Sequence, residues 1–127
     1  MTTLKLAGVA IDCPDPLALA EFYGRLLGWE VDEAESSDGW IELADPAGGV
    51  PLVFQRDPGY RPPTWPSGEV PQMMHLDIRV RTLAEGHELA IAAGATPLPQ
   101  PPDQQDADFR VYADPAGHPF CMCAGKT

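Results

Sequence analysis

The chain has 127 residues, 44% of them hydrophobic, and carries 8 Lys and Arg against 19 Asp and Glu for a formal net charge of −11. That length fits one domain with a buried core, and the apolar share excludes a disordered chain. The charge repels phosphate backbones and argues against a nucleic-acid partner, whereas it suits a cationic ligand or simple solubility. No apolar run approaches the ~20 residues of a membrane span, and the opening MTTLKLAG lacks a signal-peptide pattern, so a cytoplasmic protein with no membrane partner is expected. Cys13, Cys121 and Cys123 are odd in number and two of them lie two apart, which suits reduced, partly buried thiols better than a disulfide framework.

In chain order, residues 4–13 alternate as a strand, with Leu4, Leu6, Gly8, Ala10 and Asp12 on one face and Val9, Ile11 and Cys13 on the other. Pro14 ends it. Asp15 caps a helix whose first position is Pro16, whose buried stripe is Leu19, Phe22, Tyr23, Leu26 and Leu27, and whose stop is Gly28. Trp29 to Ala34 reads as a short strand, Ser36 to Gly39 as a turn and Trp40 to Ala44 as a strand. Asp45-Pro46-Ala47-Gly48 is hairpin chemistry: proline presets φ, aspartate bonds its own backbone two residues on, and glycine supplies φ > 0. Val50 to Gln55 leaves that turn as a further strand, which completes a β-α-β-β-β module over residues 4–56.

Residues 57–72 contain Pro58, Pro62, Pro63, Pro66 and Pro71, too many for a ladder, and read as an extended linker with Tyr60 and Trp65 as its aromatics. Trp65 is expected to pack on a module or to close over a pocket. The plan then repeats over residues 73–125. Met73 to Val80 alternates, Thr82 and Glu85 form a capping-box pattern, and a helix runs through Leu83, Ala90 and Ala93 to Gly94. Ala95 to Leu98 is a short strand, Pro99 to Asp108 a loop, Phe109 to Ala113 a strand, and Asp114-Pro115-Ala116-Gly117 the same turn again before Pro119 to Ala124. Superposing GVAIDC on HLDIRV puts Gly8 opposite His75, and the two turns then match with a drift of two residues, the mark of an internal duplication.

The tandem modules, FYGRLLGW (residues 22–29), HLDIRV and YADPAGHPFCMC (residues 112–123) together resemble the vicinal oxygen chelate superfamily, in its glyoxalase-like, bleomycin-resistance-type branch. The resemblance implies an α+β fold, one glyoxalase-like domain over residues 1–127, with two half-open curled sheets around a cavity and pairing into a homodimer. It covers metal-dependent lyases, isomerases and dioxygenases, antibiotic-modifying transferases and metal-free drug binders, so fold alone does not settle function.

Metal ligands in catalytic members come from the first and last strands of each module. Carried over, those positions are Gly8 and His75, then Val53 or Gln55, and Cys121. Glycine and valine offer no ligand atom and glutamine a weak one, so the set reads as metal-free, with no cofactor. His118 falls in the turn, and His87 falls in the second helix with no evident partner. Asp77 and Asp12, read as counterparts in the two first strands, are the nearest carboxylates, which makes His75 and Asp77 the candidate acid–base pair. The expected function is binding of a small, cationic or amphipathic organic molecule, in a drug-binding or resistance role. Its candidate wall or lid is Trp40, Phe54, Trp65, His75, Phe109 and Tyr112, with their facing undecided. The alternative is a divalent-metal lyase, isomerase or dioxygenase using His75 with Cys121 and Gln55.

Overall fold

The computed structural model describes residues 3–125, and the chain divides into two compact units, Met1–Tyr60 and Arg61–Thr127. In the first unit β1 (Val9–Cys13), α1 (Pro16–Leu27), β2 (Glu30–Val31), β3 (Trp40–Ala44) and β4 (Leu52–Arg56) follow in order. Their sheet runs β1-β4-β3-β2, with β1 parallel to β4 and the other pairs antiparallel. The second unit repeats this with β5 (Leu76–Arg79), α2 (Leu83–Ala93), β6 (Thr96–Pro97), β7 (Phe109–Ala113) and β8 (Pro119–Cys123), in sheet order β5-β8-β7-β6. This is the tandem βαβββ fold, and neither sheet closes on itself.

Local chemistry sets the element ends. The Asp15 carboxylate accepts the Ala18 N–H at 3.2 Å, Pro16 opens α1, and Gly28 ends it at φ 74°. Leu19, Phe22 and Tyr23 are buried on α1, and the Tyr23 ring stacks on Phe54 of β4 at 5.6 Å. In α2 the Thr82 hydroxyl accepts the Glu85 N–H at 3.1 Å, but the Glu85 carboxylate takes Arg81 at 2.6 Å, so the capping box is half made. The sheet-facing side of α2 is small: Gly86, Ala90 and Ala93 are its buried residues. A Cβ at Gly86 would meet Val80 at 3.0 Å and Met122 at 3.2 Å, a close approach that only glycine permits.

Both Asp-Pro-Ala-Gly turns form as their residues dictate. Gly48 and Gly117 adopt φ 82° and 89°, and each donates its N–H to the carbonyl of the turn's first aspartate at 2.9 Å. The Asp45 carboxylate accepts the Ala47 N–H at 2.8 Å, while buried Asp114 accepts both Ala116 N–H at 2.9 Å and His118 N–H at 3.0 Å.

The ladders are shorter than the alternation suggests. Residues 4–8 and 73–75 stand outside them. Val9 is bonded to the far strand through its N–H to the Pro51 carbonyl, and the pairing of β5 begins with Leu76 level with Phe120. Leu4, Leu6, Met73 and Met74 are consequently exposed. Of the Trp29 to Ala34 run, Glu30–Val31 forms the strand, extended by the Asp32 N–H donating to the Glu42 carbonyl at 2.9 Å, and a 3-10 turn follows at Glu33–Glu35. Residues 57–72 contain no strand; the Trp65 indole N–H donates to the Pro99 carbonyl at 2.7 Å, and Pro62 lies against Gly117.

Candidate functional site

Strand pairing fixes which side chains share a face. In the second sheet Phe120 and Met122 face α2: Phe120 stacks on Tyr112 at 5.7 Å, and the Tyr112 hydroxyl bonds His87 of α2 at 2.8 Å. The face turned from the helix therefore carries Asp77 beside Cys121, Arg79 beside Cys123, Val111 and Phe109 on β7, and His75 just ahead of β5. In the first sheet the same reasoning sets Phe54 and Leu43 toward α1, with Trp40, Glu42, Ala10, Asp12, Val53 and Gln55 on the open face.

This sorts the six aromatic and histidine candidates. Trp40, Phe109 and His75 belong to open faces. Phe54 and Tyr112 do not: both are core residues under their helices, at 0% and 1% exposure, and are corrected here from wall to core. Trp65 is half-buried against the Pro99 carbonyl. His87 is corrected as well, since Tyr112, distant in sequence, is its partner.

The register also settles the first-module counterparts. Ala10 is level with Val53 as Asp77 is level with Cys121, so Val53 rather than Gln55 matches Cys121. Asp12 is then the counterpart of Arg79, and the counterpart of Asp77 is Ala10. His75, Asp77 and Cys121 in the second module thus correspond to Gly8, Ala10 and Val53 in the first. At Gly8 a Cβ would lie 3.3 Å from Val53, so this corner is tight as well as apolar.

His75 Nε2 and Asp77 Oδ1 are 3.0 Å apart, both partly open to solvent, and the ligand atoms of His75, Asp77 and Cys121 all lie within 4.8 Å of one another. Burial pushes the Cys121 thiol up to about 12, helped by the Asp77 carboxylate and by Cys123; burial and Asp77 likewise raise Cys123. Both are therefore neutral thiols at neutral pH, poor nucleophiles and good fillers. On the first sheet, burial followed by the Asp32 and Glu35 carboxylates raises Glu42, so an acidic cluster adjoins the exposed Trp40. Sequence reasoning passed over Glu42; its position two residues from Trp40 on the same strand was the available signal. The groove beside α1, lined by Glu21, Arg25, Trp29 and their neighbours, contains none of the sequence candidates.

A family model described as glyoxalase-like domain matches residues 8–123, from Gly8 through the last strand. The chain belongs to the glyoxalase-like domain family. Within the vicinal oxygen chelate superfamily, this glyoxalase-like domain is similar in fold to several solved structures. One is a protein of Agrobacterium tumefaciens solved by NMR, 23% identical over 98% of this chain and 100% of that one, with a TM-score of 0.69. A second is a glyoxalase/bleomycin resistance protein/dioxygenase family enzyme of Burkholderia phytofirmans, 21% identical over 94% and 97%, TM-score 0.69. A third is a genomically encoded fosfomycin resistance protein of Listeria monocytogenes, complexed with Mn(II) and 1S,2S-dihydroxypropylphosphonic acid; it is 16% identical over 98% and 93%, TM-score 0.70. No curated protein sequence matches the chain. Among the described residues no helix is long and apolar enough to cross a membrane.

The resemblance implies a metal centre with ligands from both modules, and the first-module positions here do not supply them. The first module offers the hydrogen of Gly8 and the isopropyl group of Val53, neither of which can donate an electron pair.

Proposed function

We propose that this glyoxalase-like domain binds a small cationic or amphipathic organic molecule, in a sequestering or resistance role, and does so without the two-module metal centre of its catalytic relatives. The observation that carries this reading is the donor-free first module, Gly8, Ala10 and Val53. The exposed Trp40 indole next to Glu42 on the first sheet supplies the recognition. An aromatic face with a nearby carboxylate attracts an organic cation by cation–π and Coulomb terms together. The net charge of −11 works in the same direction and disfavours an anionic ligand such as a phosphonate. The second sheet by itself offers His75, held by Asp77, as a hydrogen-bonding group that can donate or accept.

Exposed Leu4 and Leu6 ahead of β1, and Met73 and Met74 ahead of β5, support pairing with a second copy of the chain, because that much apolar surface favours being covered. Light scattering after size exclusion reads this directly.

The test of binding is a thermal-shift screen of organic cations and amphiphiles in the presence of chelator. A ligand at 100 times its Kd stabilises the native state by about 2.7 kcal/mol, so a binder raises the melting temperature by several degrees. The shift should survive chelation and shrink in Trp40→Ala. Stabilisation that appears only with added divalent metal would instead favour a lyase, isomerase or dioxygenase built on His75.

A further inference from the structure

We infer that Met73 and Met74 form a redox modification site, at which a two-electron oxidant of the peroxide class converts exposed thioethers to sulfoxides while the chain's thiols stay reduced. Both residues stand in the run ahead of β5, outside its ladder, and are 90% and 77% exposed; Met122, the other described methionine, is buried on β8 at 1%. A thioether has no proton to lose, so access rather than ionisation governs its reaction with peroxide. Thiols ordinarily react first, because the thiolate is the stronger nucleophile. Here the fold withholds them. Cys13 is fully buried with its Sγ donating to the Gln55 carbonyl at 3.7 Å, while burial, helped by the Asp77 carboxylate, pushes Cys121 up to about 12 and raises half-buried Cys123. The usual order of sulfur reactivity is thereby reversed.

The repeat adds an independent observation. On the alignment that sets Gly8 opposite His75, Met73 and Met74 match Leu6 and Ala7 of the first module. Leu6 is exposed as Met73 is, so both halves keep an apolar side chain in the open at that position, and the second half alone builds it with sulfur. Core packing does not call for that sulfur, since neither methionine is buried. In the reaction a lone pair of the thioether sulfur attacks a peroxide oxygen. The S–O bond forms, the O–O bond breaks, and the departing hydroxide takes the proton of the attacked oxygen to leave as water, so sulfur loses the two electrons that peroxide gains. A dithiol, acting through methionine sulfoxide reductases, returns the thioether and forms a disulfide and water. The sulfoxide is polar where the side chain was apolar. The consequence, which rests on the pairing proposed above, is that oxidation weakens association of two copies through the segment ahead of β5.

The experiment treats the full-length protein with hydrogen peroxide in the presence of chelator and maps added oxygen over time by peptide mass spectrometry. Met73 and Met74 should gain oxygen roughly tenfold or more faster than Met122, with all three cysteines still open to alkylation after unfolding. In urea Met122 should lose its protection. Light scattering after size exclusion should show the dimer fraction falling with oxidation and returning after treatment with methionine sulfoxide reductases and dithiothreitol. The Met73→Leu/Met74→Leu variant should pair without responding to peroxide. Oxidation of Cys123 ahead of the two methionines, or equal rates at Met73, Met74 and Met122, overturns the modification site. A dimer fraction unchanged by full oxidation overturns its effect on pairing. A chain that is monomeric before oxidation overturns the pairing itself, and the peptide map still decides the modification site, so the two failures are separable.

Discussion

Replacing the first aspartate of each Asp-Pro-Ala-Gly turn should separate two sites of identical sequence. Asp114 is buried and its carboxylate accepts two backbone N–H groups, from Ala116 and His118; Asp45 is more exposed and accepts one, from Ala47. Hydrogen bonds to a charged acceptor are each worth roughly 1.5 kcal/mol net, or somewhat less when the donor can find water instead. Asp45→Ala should therefore cost about 1 kcal/mol and Asp114→Ala about 2–3 kcal/mol, with part of the latter offset because a buried carboxylate no longer needs solvating. At a urea m-value of roughly 2 kcal/mol/M, the two midpoints differ by about 0.5–1 M. Asp114→Asn, which keeps one acceptor oxygen without the charge, should fall between Asp114→Ala and the parent. Urea denaturation followed by tryptophan fluorescence and far-UV circular dichroism measures all three. Equal midpoints for the two alanine variants, or a larger loss at Asp45, would refute the idea that the number of N–H groups held by the carboxylate sets each turn's strength.

Tyr112→Phe removes the hydroxyl bonded to His87 and should cost about 1 kcal/mol, with His87→Ala adding little to it; a double-mutant cycle in urea measures the coupling. Cys121, with its thiol raised to about 12 from 9, has about a thousandfold smaller thiolate fraction at neutral pH than an ordinary cysteine, so mass spectrometry after brief iodoacetamide treatment should find it unmodified in the native chain and modified in urea. The same shift favours the protonated thiol in the folded state, so its contribution is fully present below pH 9 and is lost as pH rises from 9 toward 12; Cys121→Val should flatten stability over that window. Gly86→Ala gains helix propensity of roughly 1 kcal/mol but drives a methyl against Val80 and Met122, and a net loss of stability in thermal melts is expected.

How much of this was legible depended on the range of the interaction involved. The turns, the Asp15 and Thr82 caps and the glycine stops are decided within four or five residues and were legible in the sequence, except that the Glu85 half of the capping box was lost to Arg81. Strand starts were not, because residues 4–8 and 73–75 alternate correctly yet have no ladder partner beyond Val9 and Leu76. Face assignment also failed locally: alternation pairs Phe54 with Leu52, and Tyr112 with Arg110, but does not say which side the helix covers. Asp77 was visible as a neighbour of His75, two residues along the same strand. Its nearness to Cys121 was not, since that follows from the register of β5 on β8. The same register exposed the false match of Asp12 with Asp77.

In each sheet the first strand made lies at the edge and pairs only with the last, so β1 waits for β4 some forty residues later and β5 for β8. On a ribosome, Val9–Cys13 would emerge early and remain without its ladder until Leu52–Arg56 had followed, with the antiparallel hairpin of β3 and β4 forming first as its template. In each half, therefore, the strand made first is the one that has to wait for the strand made last. Slow closure of β1 and β5, rather than helix or turn formation, is the step that should limit folding of each half.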